Sequence, residues 1–221
     1  VSGFLGEQTS QQQQDGSEQC ASRSDLIQTS QPRIYYGEQM ADYAVVGKPA
    51  SERDAEFDRP SGATDAQYFT YEGNGGVGIG SMWRRLLYAT YFRESNFLLS
   101  SVFNDKSKLL YVRDPVARVH KVAPFLTLDN DPYPAVVDGK IIWILDGYTT
   151  AATYPYAQVI DWRNATRDTQ TEVRTFPEAR QDVNYVRNSV KATVDAYTGK
   201  VTLYEFDDTD PVLKAWNRAF G

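Results

Sequence analysis

The sequence predicts an α+β fold: a mixed or antiparallel sheet built from hairpins, with several short helices packed on it. Three observations predict it. Strand-like and helix-like segments come in mixed rather than strictly alternating order, which argues against a doubly wound parallel sheet. Asp138-Gly139 lies between the apolar runs Ala135-Val-Val and Ile141-Ile-Trp-Ile-Leu145, a strong short-range signal for a two-residue hairpin. Asp114-Pro115 and Asp210-Pro211 each set a capping carboxylate before a proline suited to the first helical position, so short helices are expected over Val116–Val122 and Val212–Phe220.

Taken in order, the first segment, Glu7 to Gln31, is Gln- and Ser-rich and has few groups able to build a core. Residues 1–31 are therefore expected to form an arm or linker, and residues 32–221 a single α+β domain. Ile34-Tyr-Tyr36, Tyr43-Ala-Val-Val46 and Ala66-Gln-Tyr-Phe-Thr-Tyr71 have the apolar and aromatic content of strands. Ser81 can cap a helix starting at Met82, with Met82, Trp83, Leu86, Leu87, Thr90 and Tyr91 on one face at i, i+1, i+4, i+5 spacing. Asn96 to Phe103 continues the helical region. Val194 to Phe206 repeats the hairpin grammar around a longer turn that contains Gly199.

The 221 residues carry 41% hydrophobic and 13% aromatic side chains, enough to bury a core without cross-links. A formal net charge of -6 speaks against a phosphate-backbone partner, because nucleic-acid affinity comes from Lys and Arg displacing counterions. Cys20 is the only cysteine, which excludes an internal disulfide and a cysteine-based zinc site. Without a basic n-region and an apolar h-region at its start, the chain reads as a piece of a longer polypeptide.

Gly73-x-Gly75-x-x-Gly78 stands between a strand-like and a helix-like segment, where a dinucleotide loop would be. No βαβ unit can be drawn around it and no Gly-Lys-Ser/Thr follows, so the glycines are expected to serve a turn in which backbone passes close to packed neighbours. His120, the sole histidine, lies among cations and reads as a helix-end residue rather than a base. Asp129-Asn-Asp131 and Asp207-Asp-Thr-Asp210 cluster oxygen ligands without the spacing of a calcium loop, and Asp210 already has a role as a cap. Asn164-Ala-Thr166 has the pattern of a glycosylation acceptor. No cofactor or metal is expected.

Several long motifs carry a family resemblance: PRIYYGE (32–38), YAVVG (43–47), GGVGIGSMWRRLLYA (75–89), NFLLSS (96–101), KVAPFLTLDNDPYPAVVDGKIIWILDGYTT (121–150), YPYAQ (154–158) and NYVRNSVKATVDAYTGKVTLYEFDDTDPVLKAW (184–216). On these the chain resembles uncharacterised protein family 0182, a group of bacterial multi-pass membrane proteins. The resemblance implies a location on the extracytoplasmic side of the cell membrane, in a larger protein whose own transmembrane region would be a partner. Val194 to Val201 is also similar to the last hairpin of PepSY-type extracytoplasmic modules.

The expected function is a non-enzymatic binding or interaction module for an envelope polymer, a lipid or a neighbouring protein. Its candidate surface comprises Gly73, Gly75, Gly76 and Gly78, then Asp129, Asp131 and Tyr133, then Asp146, Tyr148, Tyr154 and Tyr156, groups rich in hydroxyls and rings. The alternative is an envelope-acting hydrolase with paired carboxylates, Asp129 or Asp131 with Asp146.

Overall fold

The structure, a computed structural model, describes residues 28–47, 56–61, 65–99, 103–161 and 182–220. Cys20, most of the Gln/Ser-rich segment, the end of the second helical stretch and the Asn164 sequon lie outside them. The described residues group into two compact units. One is built from the chain up to Arg113 with Val136–Ile141 and Ala196–Gly199; the other comprises Asp114–Ala135, Ile142–Asp195 and Lys200 onward.

The first unit holds β1 (Tyr43–Val46), β2 (Glu56–Ser61), β3 (Asp65–Phe69), β4 (Val77–Gly78), α1 (Met82–Phe92), α2 (Asn96–Leu99) and β5 (Lys108–Tyr111). β5 is the centre of a small antiparallel sheet in the order β1-β5-β4, while β2 and β3 pair as a hairpin. Ile79, Ala89, Phe97 and Leu109 are buried together with Tyr43, Tyr88 and Phe92 packed around them. Beside them a tyrosine-rich cluster packs Tyr36, Tyr71, Val46 and Leu110 with Tyr35 and Tyr197. Within it, Glu56 accepts hydrogen bonds from the Tyr35 hydroxyl at 2.8 Å and from the amides of Gly47 and Tyr71 at 2.5 and 3.2 Å.

Three expectations for this unit need correction or sharpening. Ile34-Tyr-Tyr36 is not a strand: the amides of Tyr35 and Tyr36 both donate to one carbonyl, Ala196 O, so the segment bends and leaves no regular ladder. Ser81 does precede α1, but its side chain makes no cap bond. The apolar stripe Met82, Trp83, Leu86, Leu87 and Tyr91 is exposed, and the opposite face, Arg85, Tyr88, Ala89 and Phe92, packs inward.

In the second unit follow α3 (Pro115–Val122), β6 (Thr127–Leu128), β7 (Tyr133–Val137), β8 (Lys140–Ala151), β9 (Ile160–Asp161), β10 (Asp182–Val183), β11 (Tyr185–Asp195), β12 (Val201–Glu205) and α4 (Pro211–Phe220), with the β7–β8 turn and the β11–β12 tip assigned to the first unit. The main sheet runs β12-β11-β8-β6, with β7 also pairing β8; β12–β11, β11–β8 and β8–β6 are antiparallel. Asp138 and Gly139 take φ of 50° and 74°, the left-handed pair a two-residue turn between twisted strands demands. The α+β class and the hairpin-built sheet are as the sequence predicts.

Alternation along β8 sorts its side chains onto two faces. Leu145 joins Val190, Ala192 and Val194 of β11 against Val116 and Val119 of α3 and Leu213 of α4. A bulge at Ser189 shifts the β11 register between Asn188 and Val190. The helices start where the Asp-Pro pairs predict: Asp114 accepts from the Ala117 amide at 2.9 Å and Asp210 from the Val212 amide at 2.9 Å. Phe125, Trp216 and Phe220 stack beside this core, with ring centroids 4.6 to 6.4 Å apart.

Candidate functional site

The glycine loop lies in the first unit. A Cβ on Gly73 would stand 2.3 Å from the Tyr71 ring, and one on Gly75 would stand 2.2 Å from Thr198 O. Gly76 has φ +86°, and Gly78 is already in β4, paired with Lys108. The next amide, Ile79 N, donates to Ser107 O at 2.9 Å. The glycines thus let backbone pass its neighbours, and a strand rather than an open phosphate-sized turn precedes α1.

The second unit gathers Asp129, Asp146 and Tyr148. Asp146 and Tyr148 occupy alternate positions of β8 and so share the sheet face turned away from α3 and α4. The Asp129 amide donates to Asp146 O at 2.9 Å, which seats Asp129 beside them. Across the strand, Lys191 lies opposite Asp146 and Asn188 opposite Tyr148. Lys191 Nζ forms an ion pair with Asp146 Oδ1, and Asn188 Nδ2 donates to Oδ2 of the same carboxylate at 3.1 Å. Lys191 also pairs with Tyr204 on β12, and its ammonium stands 5.0 Å from the Phe206 ring. Partial burial, reinforced by the negative charges of Asp129 and Asp146, raises the Tyr148 pKa above the ordinary phenol range.

The result is a strip with a charge pair at its centre and the rings of Tyr148, Tyr204 and Phe206 around it. Tyr204 and Phe206 are 53% and 68% exposed. Such rings can lie flat against a ligand while the carboxylate and ammonium serve its hydroxyls. Among the described residues no group of three or more His, Cys, Asp or Glu is placed to hold a metal ion.

The other predicted residues are placed separately. Asp131 and Tyr133 are exposed, with the Asp131 amide donating to Asp129 Oδ1 at 3.2 Å. Tyr154 stacks on Tyr185 at 5.6 Å, and Tyr156 is fully exposed with φ +60°. His120 is half-buried in the last turn of α3. Of the second acidic cluster, Asp207 is held by Thr209 and Arg187, and Asp210 is buried. Lys191, Asn188, Tyr204 and Phe206 escaped the sequence reading. For Lys191 the signal is the polar alternation Lys191-Ala-Thr-Val-Asp195, which marks an outward face but not its partners across the sheet.

A family profile described as an uncharacterised protein family matches residues 8–221. The chain belongs to UPF0182. This UPF0182 chain is 63% identical over 225 residues to a UPF0182 protein of Salinispora tropica, an alignment that covers 100% of the chain and 22% of the relative. It is 53% identical over 196 residues to one from Arthrobacter sp. (strain FB24) and 52% over 196 residues to one from Saccharopolyspora erythraea, covering 87% and 88% of the chain and 19% and 20% of those relatives. It therefore spans about a fifth of the length of these relatives. No solved structure matches it. No helix among the described residues is long and apolar enough to cross a membrane.

Proposed function

We propose that this UPF0182 region is a binding module on the outer side of the cytoplasmic membrane, part of a larger multi-pass membrane protein, and that its open sheet face takes an extended envelope glycan. The observation that carries the reading is the Asp146–Lys191 ion pair flanked by Tyr148, Tyr204 and Phe206 on the sheet face away from α3 and α4. A flat strip of this kind suits a polymer better than a compact ligand: rings stack on sugar faces, and a charge pair offers both donor and acceptor to hydroxyls. The greater length of the relatives supports the larger protein.

The test is a thermal shift of the purified chain with solubilised cell-wall glycan, repeated with Tyr204→Ala and Phe206→Ala. A stabilisation in the parent chain that disappears in both variants, while their unliganded melting temperatures stay close to the parent's, supports the reading. An equal shift in all three chains moves the site elsewhere. Release of reducing ends that stops in Asp146→Asn replaces it with paired-carboxylate hydrolysis.

A further inference from the structure

Helix α1 is apolar on both sides. Its inner face presents Tyr88, Ala89 and Phe92 to the core of the first unit, and Arg85 is absorbed there too, with Nε donating to Ile79 O at 2.9 Å and Nη2 to Phe103 O at 3.3 Å. Its outer face carries Met82, Trp83, Leu86, Leu87 and Tyr91, with Trp83 77% and Leu87 67% exposed. The two polar residues between them are turned back on the protein: Arg84 Nη1 donates to Gly78 O at 3.0 Å, and Thr90 Oγ1 donates to Leu86 O at 2.5 Å. A helix with an apolar face on each side belongs between two packing layers, and among the described residues the core of the first unit supplies one of them for α1.

An exposed stripe of this size marks a docking surface. Its occupant follows from length: the chain aligns from end to end with a relative of which it makes up only 22%. We infer that the outer face of α1 packs against an apolar surface supplied by the remainder of the same polypeptide, which closes the second side of the helix. This inference rests on the reading that the chain is one part of a longer protein. Trp83 and Tyr91, the aromatic members of the stripe, would anchor such a contact.

The experiment places a photo-reactive phenylalanine analogue at position 83 or 87 of the full-length polypeptide in cells, with position 140, the exposed first residue of β8, as the control. Cross-linked products are identified by mass spectrometry, and the size of the polypeptide is read by immunoblot. The expected result is a cross-link from positions 83 and 87, absent from 140, to a peptide of the same polypeptide outside these 221 residues. A parallel Leu87→Glu variant leaves the melting temperature of the 221-residue chain unchanged and makes α1 accessible to protease in the full-length protein. Cross-links to lipid, to a second copy, or to solvent alone overturn the inference while leaving the larger protein standing. An immunoblot with only a species the size of this chain removes the larger protein itself, and this inference with it.

Discussion

Tyr185 donates its phenolic hydrogen to Asp210 Oδ1 at 2.7 Å, joining the start of β11 to the carboxylate that caps α4. Thr149 and Ser189 donate to the other oxygen, the latter at 2.6 Å, and the carboxylate is fully buried. Removing it leaves three hydroxyls and an amide to be satisfied in a closed space. Asp210→Ala is expected to cost about 3 kcal/mol of unfolding free energy and Tyr185→Phe about 1 kcal/mol, read from urea midpoints.

The same carboxylate sets an acid limit. Burial by itself would raise its pKa, but the hydrogen bonds from Ser189, Thr149, Tyr185 and the Val212 amide outweigh that and hold it at about 2. With the folded value below the ordinary 3.8, its contribution is present above pH 4 and drains away as the pH falls from there through 2. Urea midpoints between pH 6 and pH 2 should show a loss of about 2 kcal/mol from this group, with Asp210→Asn flattening that part of the curve.

The glycine loop separates steric need from sequence pattern. Gly75→Ala would drive a methyl into Thr198 O at 2.2 Å and is expected to cost about 2 kcal/mol or more. Gly78→Ala meets nothing closer than Arg84 Nη1 at 3.6 Å, so it should change stability by under about 0.5 kcal/mol. The asymmetry is read from the melting temperatures of the two unliganded variants against the parent chain.

The charge pair on the open sheet face is expected to be modest in energy. Asp146 and Lys191 are each about a quarter exposed, so solvent screens their attraction. A double-mutant cycle with Asp146→Asn and Lys191→Met should give a coupling of about 1 kcal/mol, falling as salt is raised. Titration followed by phenol absorbance should lose a late-ionising group in Tyr148→Phe, because burial and the neighbouring carboxylates delay ionisation of this phenol.

What the sequence by itself determined is the local grammar. Asp138-Gly139 made a two-residue turn because only left-handed φ at both positions matches the twist of the strands it joins. Asp114-Pro115 and Asp210-Pro211 began helices because a carboxylate that reaches a first-turn amide and a ring that presets φ act within a few residues. The mixed order of elements likewise carried the α+β class. Tertiary structure decided everything that depends on a partner distant in the chain. It bent Ile34-Tyr36 toward Ala196 O instead of a ladder, paired Lys191 with Asp146, and turned α1 so that its richer apolar stripe faces outward. Helical periodicity shows that a stripe exists but not what stands opposite it, and for α1 the layer chosen by the core was the one carrying Ala89 and Phe92.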